Sequence, residues 1–217
     1  MSRTGVFGGS FNPIHYGHLL LADEVLERLG LDRVLFVPAA IAPHKPGHDL
    51  APAADRYRMA QLAVGAHPGF AVSDVELRRP GVSYTVDTLA ALSAPGQELV
   101  LLLGSEMFLD LLSWREPQRI ARLARLAVVP RVGSAFDPDS AAARKVLCEI
   151  GIDRFGVVEG ASPPERGVLI VHATSLPISA SELRARVRDG RSLAYRLPDP
   201  VIEYIRARNL YREGSGS

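Results

Sequence analysis

The sequence predicts an α/β fold: a Rossmann-like open parallel sheet with helices on both faces, in a single domain. Three observations predict it. Short β-rich runs alternate with longer segments of helical period. The first run passes into the first helix through a Gly-Gly-Ser turn. No internal repeat or interdomain linker interrupts the pattern over 217 residues, a length suited to one sizeable core.

Taken in order, Thr4 to Phe7 is a short apolar strand ending in Gly8-Gly9. Leu19, Ala22, Leu26 and Leu29 recur at three- and four-residue steps, giving a helix stopped by Gly30. Val34 to Val37 is the second strand, stopped by Pro38. The stretch from Ala39 to Pro52 is rich in Pro, Gly and His and has no periodicity. Its length marks it as a candidate functional loop. Asp55 to Ala66 reads as a helix capped by Asp55, and Phe70 to Val75 as a strand. Thr85 to Leu92 is helical, and Leu99 to Leu103 is a strongly apolar strand that meets Gly104. Two short helices, Ser105 to Leu112 and Glu116 to Ala121, flank Trp114. Leu126 to Val129 is a strand closed by Pro130. An Ala-rich helix (Ser140 to Ile150), a strand near Val168 to Val171 and two closing helices follow (Ser181 to Arg188, Pro200 to Arg208).

Composition narrows the function classes. Apolar residues make up 47% and charged residues 23%, ordinary for a soluble globular protein. The net charge of +1 and the lack of a basic stripe argue against nucleic-acid binding. No apolar run approaches the roughly 18 residues that span a bilayer, and the N-terminus lacks a signal-peptide core. Cys148 stands alone, so neither an internal disulfide nor a multi-cysteine zinc site is expected. A cytoplasmic location is expected. The oligomeric state stays open, a homo-oligomer included.

The chemistry concentrates in Gly8-Gly9-Ser10-Phe11-Asn12-Pro13-Ile14-His15-Tyr16-Gly17-His18. This segment sits at a strand-to-helix junction, the edge at which open parallel sheets bind ligands. Small residues at Gly8, Gly9 and Ser10 admit a phosphate close to the main chain. The helix start offers unpaired N–H groups and the positive end of a dipole. His15 and His18, three apart, face one side of a first helical turn, and Gly17 keeps that space clear. A tight turn would explain either histidine alone; the whole string at this junction argues for anion binding. The segment is neither a Walker A loop nor a dinucleotide fingerprint.

A second anion element is Ile178-Ser179-Ala180-Ser181-Glu182-Leu183-Arg184 at the start of a helix. Ser179 and Glu182 have capping-box spacing, which alone would account for both. The alternative adds free N–H groups, two hydroxyls and a guanidinium converging on a polyphosphate. His44 and His48 lack a third ligand, so no metal pair is expected there. Ser83-Tyr84-Thr85-Val86-Asp87-Thr88 carries residues that would cap a helix at Ser83 or Thr85.

The first string resembles the HxGH signature of the nucleotidylyltransferase superfamily, and in its G-G-S-F-N-P-I-H-Y-G-H form that of bacterial nicotinate-mononucleotide adenylyltransferases. The second resembles that family's I-S-x-[ST]-x-x-R signature, and Ser83 to Thr88 its S-Y-T-x-D-T-L segment. Gly104-Ser105-Glu106 with Trp114 resembles its G-x-D…W segment, with Glu106 in place of the usual Asp. The tail from Leu197 to Tyr211 is similar to the family's C-terminal helix.

The resemblance implies a nucleotidylyltransferase domain over 1–212, with 213–217 a flexible tail. It implies transfer of the adenylyl group of ATP to nicotinate mononucleotide, giving nicotinate adenine dinucleotide and pyrophosphate, with Mg²⁺ carried in on ATP. His15, His18 and Arg184 would be catalytic. Gly8, Gly9, Ser10, Phe11, Gly17, Gly104, Ser105, Glu106, Ile178, Ser179 and Ser181 would bind ATP. Asn12, His44, Lys45, Tyr84, Thr85 and Trp114 would bind the acceptor, and Asp87 is left without a role. Related enzymes acting on nicotinamide mononucleotide or phosphopantetheine, and a non-catalytic nucleotide-binding module, are the alternatives.

Overall fold

A computed structural model describes residues 2–41, 50–65, 67–130, 133–159 and 164–212. Seven strands form one sheet: β1 (Ser2–Gly9), β2 (Arg33–Pro38), β3 (Phe70–Val72), β4 (Gln97–Gly104), β5 (Arg125–Val129), β6 (Phe155–Val157) and β7 (Val168–Ile170). Their order is β3-β2-β1-β4-β5-β7-β6 and every pairing is parallel. Chain order reverses between β1 and β4, and at such a reversal the two connections leave the sheet on opposite faces and open a crevice.

Eight helices cover the two faces: α1 (Tyr16–Leu29), α2 (Ala53–Val64), α3 (Thr85–Leu92), α4 (Ser105–Leu109), α5 (Pro117–Leu123), α6 (Ala141–Ile150), α7 (Ala180–Arg188) and α8 (Asp199–Ala207). A 3-10 turn, Leu111–Ser113, follows α4. Strand side chains alternate between faces, which splits the core in two. Val34 and Phe36 pack with Val25 of α1, Met59 of α2 and Val201 of α8. Leu35 and Val37 pack with Leu89 of α3, Phe108 of α4 and Val146 of α6. Helix α1 stops at Gly30, whose left-handed φ of 57° lets its N–H return to Glu27 and Leu26. Among the described residues no helix is long and apolar enough to cross a membrane.

Three expectations need correction. Asp55 does not cap α2, whose N-cap is Pro52. Its buried carboxylate instead accepts hydrogen bonds from Tyr204 Oη at 2.7 Å and Arg208 Nε at 3.3 Å, fastening α8 to α2. The third strand ends at Val72 rather than Val75, because the chain turns away once Ser73 has donated to the Phe36 carbonyl. Strand β6 was not anticipated: its three residues sit at the sheet edge in a stretch without a clear pattern. The flexible tail expected at 213–217 lies outside the described residues.

Glu24 on α1 accepts the backbone N–H of Thr174 at 2.9 Å, on the segment leading to α7. The Thr174 side chain first, then this backbone bond and Arg28, hold the Glu24 carboxyl below its ordinary value. A depressed folded-state pKa adds stability above the unfolded value, and the gain disappears as pH falls through the carboxylate range. Glu24→Gln should therefore melt below the wild type at neutral pH, with the gap closing below about pH 4. Thermal melts across pH check this.

Candidate active site

The turn after β1 lies at the reversal of strand order. Gly8 in β1 and Gly104 at the end of β4 both face open space: a Cβ on either would meet nothing within 4 Å. Phe11 has a φ of 44°, and its buried ring packs beneath His18 at 5.2 Å between centroids, edge to face, and against Phe7 and Phe36. A Cβ on Gly9 would press on that ring at 3.2 Å.

His15 is the N-cap of α1 and is 6% exposed; its ring stacks on His18 at 3.7 Å. The His15 backbone N–H donates to His18 Nδ1 at 3.2 Å. A neutral imidazole whose Nδ1 accepts carries its proton on Nε2, which makes Nε2–H the donor. Gly17 keeps the pair uncrowded: a Cβ there would stand 3.0 Å from His15 Nδ1, and the ring would have to shift.

The second motif is brought onto the first. Arg184 Nη1 donates to the Asn12 carbonyl at 2.9 Å across 172 residues of sequence, and its Nε is buried without a hydrogen-bond partner. Ser179 caps α7, accepting the Glu182 N–H at 3.2 Å, and both Ser179 and Ser181 are exposed. Ile178 is half-buried against the core. The capping alternative therefore describes real geometry for Ser179 while its hydroxyl stays at the surface. The Asn12 side chain faces inward: its Oδ1 accepts from Ala51 N–H at 3.1 Å and Tyr211 Oη at 2.8 Å. Burial pushes the Tyr211 phenol above its ordinary pKa, so it stays protonated as a donor.

On the opposite side of the reversal, Ser105 is buried and Glu106 exposed in the first turn of α4. Tyr84 is the N-cap of α3, so neither Ser83 nor Thr85 caps it. Ser83 instead accepts from the N–H groups of Ala40 at 3.2 Å and Ile41 at 3.4 Å. Tyr84, Thr85 and Trp114 are half-buried. The Arg115 guanidinium lies 4.9 Å from the centre of the Tyr84 ring and 3.8 Å from Asp87, which gives Asp87 a place in aligning this side. His44 and Lys45 lie outside the described residues. A cavity of about 320 Å³, lined in part by Pro130, Phe136, Ile170 and His172, opens at the ends of β5 and β7 on the same sheet edge.

Sequence reading missed Arg56 and Arg115. Arg56 falls three and four residues before Met59 and Ala60 on the buried face of α2, which was a signal in the pattern. Arg115 had no signal beyond its place beside Trp114.

An open parallel α/β sheet with two anion motifs joined at its reversal point defines a nucleotide-binding domain of the nucleotidyl-transferring kind. The cytidylyltransferase-like family model matches residues 6–186, and the chain belongs to that family. It is 44% identical to a protein of Thermomicrobium roseum over 98% of this chain and 92% of that one. A Roseiflexus protein is also 44% identical, over 96% and 97%. Both are named probable nicotinate-nucleotide adenylyltransferase. In fold, it is similar to the Plasmodium falciparum nicotinic acid mononucleotide adenylyltransferase complexed with NaAD. That match has a TM-score of 0.73 at 18% identity, covering 97% of this chain and 98% of that one.

Gly17→Ala should leave the melting temperature within a few degrees of wild type. It should lower kcat/KM about tenfold or more by displacing the His15 ring. Steady-state kinetics beside a thermal melt check this.

Proposed function

We propose that this chain transfers the adenylyl group of ATP to nicotinate mononucleotide, releasing pyrophosphate. The observation that carries the reading is the Arg184–Asn12 bond, which joins the two phosphate motifs into one site at the sheet reversal. The relatives named for this reaction align along nearly the whole chain, which supports the same acceptor.

The acceptor phosphate, with a second pKa of about 6, is largely dianionic at neutral pH and needs no general base. Catalysis then consists of alignment and of neutralising charge as it grows on the transferring phosphoryl group. His18 Nε2–H donates to the α-phosphate, and His15, stacked on it, orients the triphosphate. Arg184, with Ser179 and Ser181 at the start of α7, holds the β- and γ-phosphates. Gly8, Gly9, Ser10 and Gly17 leave room for the chain of phosphates, and Phe11 supports His18 from below. Gly104 and Ser105 line the facing strand end, and Ile178 the approach to α7. Tyr84, Thr85 and Trp114 receive the pyridine ring.

A divalent metal fits this site as a guest of the substrate. It would be held mainly by substrate phosphates and water, the way Mg²⁺ commonly enters such sites. Bound there, it would neutralise phosphate charge, and exposed Glu106 would meet a metal-bound water or a ribose hydroxyl.

Pyrophosphate release, measured with ATP, Mg²⁺ and each of nicotinate mononucleotide, nicotinamide mononucleotide and phosphopantetheine, tests the reading. Strong preference for the first is expected, and turnover only with another acceptor would overturn the acceptor assignment. His18→Ala should lower kcat by about 10²–10³ with the fold intact; near-wild-type turnover would remove His18 from the chemistry.

A further inference from the structure

Arg56 is 1% exposed, yet none of its three hydrogen-bond acceptors is a carboxylate. Its Nε donates to the Ala51 carbonyl at 2.8 Å, Nη1 to the Ser10 carbonyl at 2.8 Å, and Nη2 to the Ala40 carbonyl at 3.2 Å. These acceptors belong to three separate segments: the turn after β1, the chain leaving β2, and the chain entering α2. Burying a cation costs free energy, and burial does push this guanidinium below its ordinary pKa. A residue needed only to fill space on α2 would be apolar.

What the guanidinium supplies is a rigid planar fork that fixes three carbonyls relative to one another. Further bonds extend the fork. Ala39 N–H donates to the Gly9 carbonyl at 2.9 Å, and the N–H groups of Ala40 and Ile41 donate to Ser83 Oγ, next to Tyr84 and Thr85. Ser83 N–H in turn donates to the Ile41 carbonyl at 3.0 Å. A continuous bonded path thus runs from the phosphate turn through Arg56 and residues 39–41 to the N-terminus of α3.

We infer that Arg56 is a positioning residue that sets the distance between the nucleotide turn at Ser10 and the acceptor segment at Ser83–Thr85. The inference rests on the proposed adenylyl transfer. In that reaction the two substrates bind on different segments and must meet within a few tenths of an ångström. A displacement of about 1 Å between reacting groups can cost on the order of 10²-fold in rate. Lysine keeps the charge but concentrates its donors on one nitrogen, so it cannot span three carbonyls.

The test compares Arg56→Lys with wild type. Calorimetric titration with a non-hydrolysable ATP analogue gives the number of binding-competent sites. Expected is a fall of tenfold or more in kcat per competent site, with KM for each substrate within about threefold. Hydrogen exchange should rise together in peptides covering 8–15, 36–41 and 80–88. Arg56→Ala should regain part of its rate in millimolar guanidinium. If the Lys variant does not fold, Arg56→Gln takes its place in the same measurements.

The inference is overturned if kcat per competent site stays within twofold of wild type. It is equally overturned if exchange rises only within α2, or if lost rate follows lost folded protein alone. Wild type that turns over none of the three acceptors would instead sink the functional reading. The exchange result would then still decide whether Arg56 couples the two segments.

Discussion

The turn between β1 and α1 is held in place by groups that arrive from far along the chain, and the rest of the site depends on that. Arg56 takes the Ser10 carbonyl, Arg184 takes the Asn12 carbonyl, and Tyr211 with the Ala51 N–H takes the Asn12 side chain. Residues 10–15 belong to neither strand nor helix, so without outside partners their backbone would not be fixed by a hydrogen-bond ladder. Three elements distant in sequence remove that freedom. The C-terminal part of the chain is therefore part of the site's frame: α8 is fastened to α2 through Asp55, and Tyr211 closes on Asn12.

Sheet topology decides where this frame can matter. At the reversal between β1 and β4 two strand ends open onto a shared crevice, and both carry a glycine facing open space. Phe7, Phe11 and Phe36 pack against one another beneath His18, so the histidine pair rests on an aromatic floor. The side of the crevice formed by α3 uses different means. A cation sits over the Tyr84 ring and Asp87 faces that cation from α3, so charge and ring are aligned before any ligand arrives.

Much of this was legible because it is local. Motif spacing singled out Gly8–His18 and Ile178–Arg184, which the fold brings into contact, the bounds of α3 followed from its period, and the Gly30 stop of α1 from a residue type that alone adopts its φ cheaply. What escaped notice involves long-range contacts to main-chain atoms. Arg56 bonds three carbonyls, and a carbonyl has no residue identity for a sequence pattern to register. Asp55 looked like a helix cap because its local position permits one; its true partners lie 149 and 153 residues away. Strand β6 is too short, at three residues, to show a period.

The charge balance of the frame bears directly on its chemistry. Arg56 and Arg184 both take carbonyls as hydrogen-bond partners, and buried Glu76 opposes part of the Arg56 charge. A carboxylate in either place would have made a stronger single bond and a neutral pair. A carbonyl partner leaves the half-buried Arg184 guanidinium charged beside the turn that leads into α1, where it is screened less than in bulk water. In the proposed reaction Arg184 would serve both the turn and the polyphosphate, whereas Arg56, fully buried, holds the turn alone, so the charge of Arg184 is in place before the transferring phosphoryl group gathers its own.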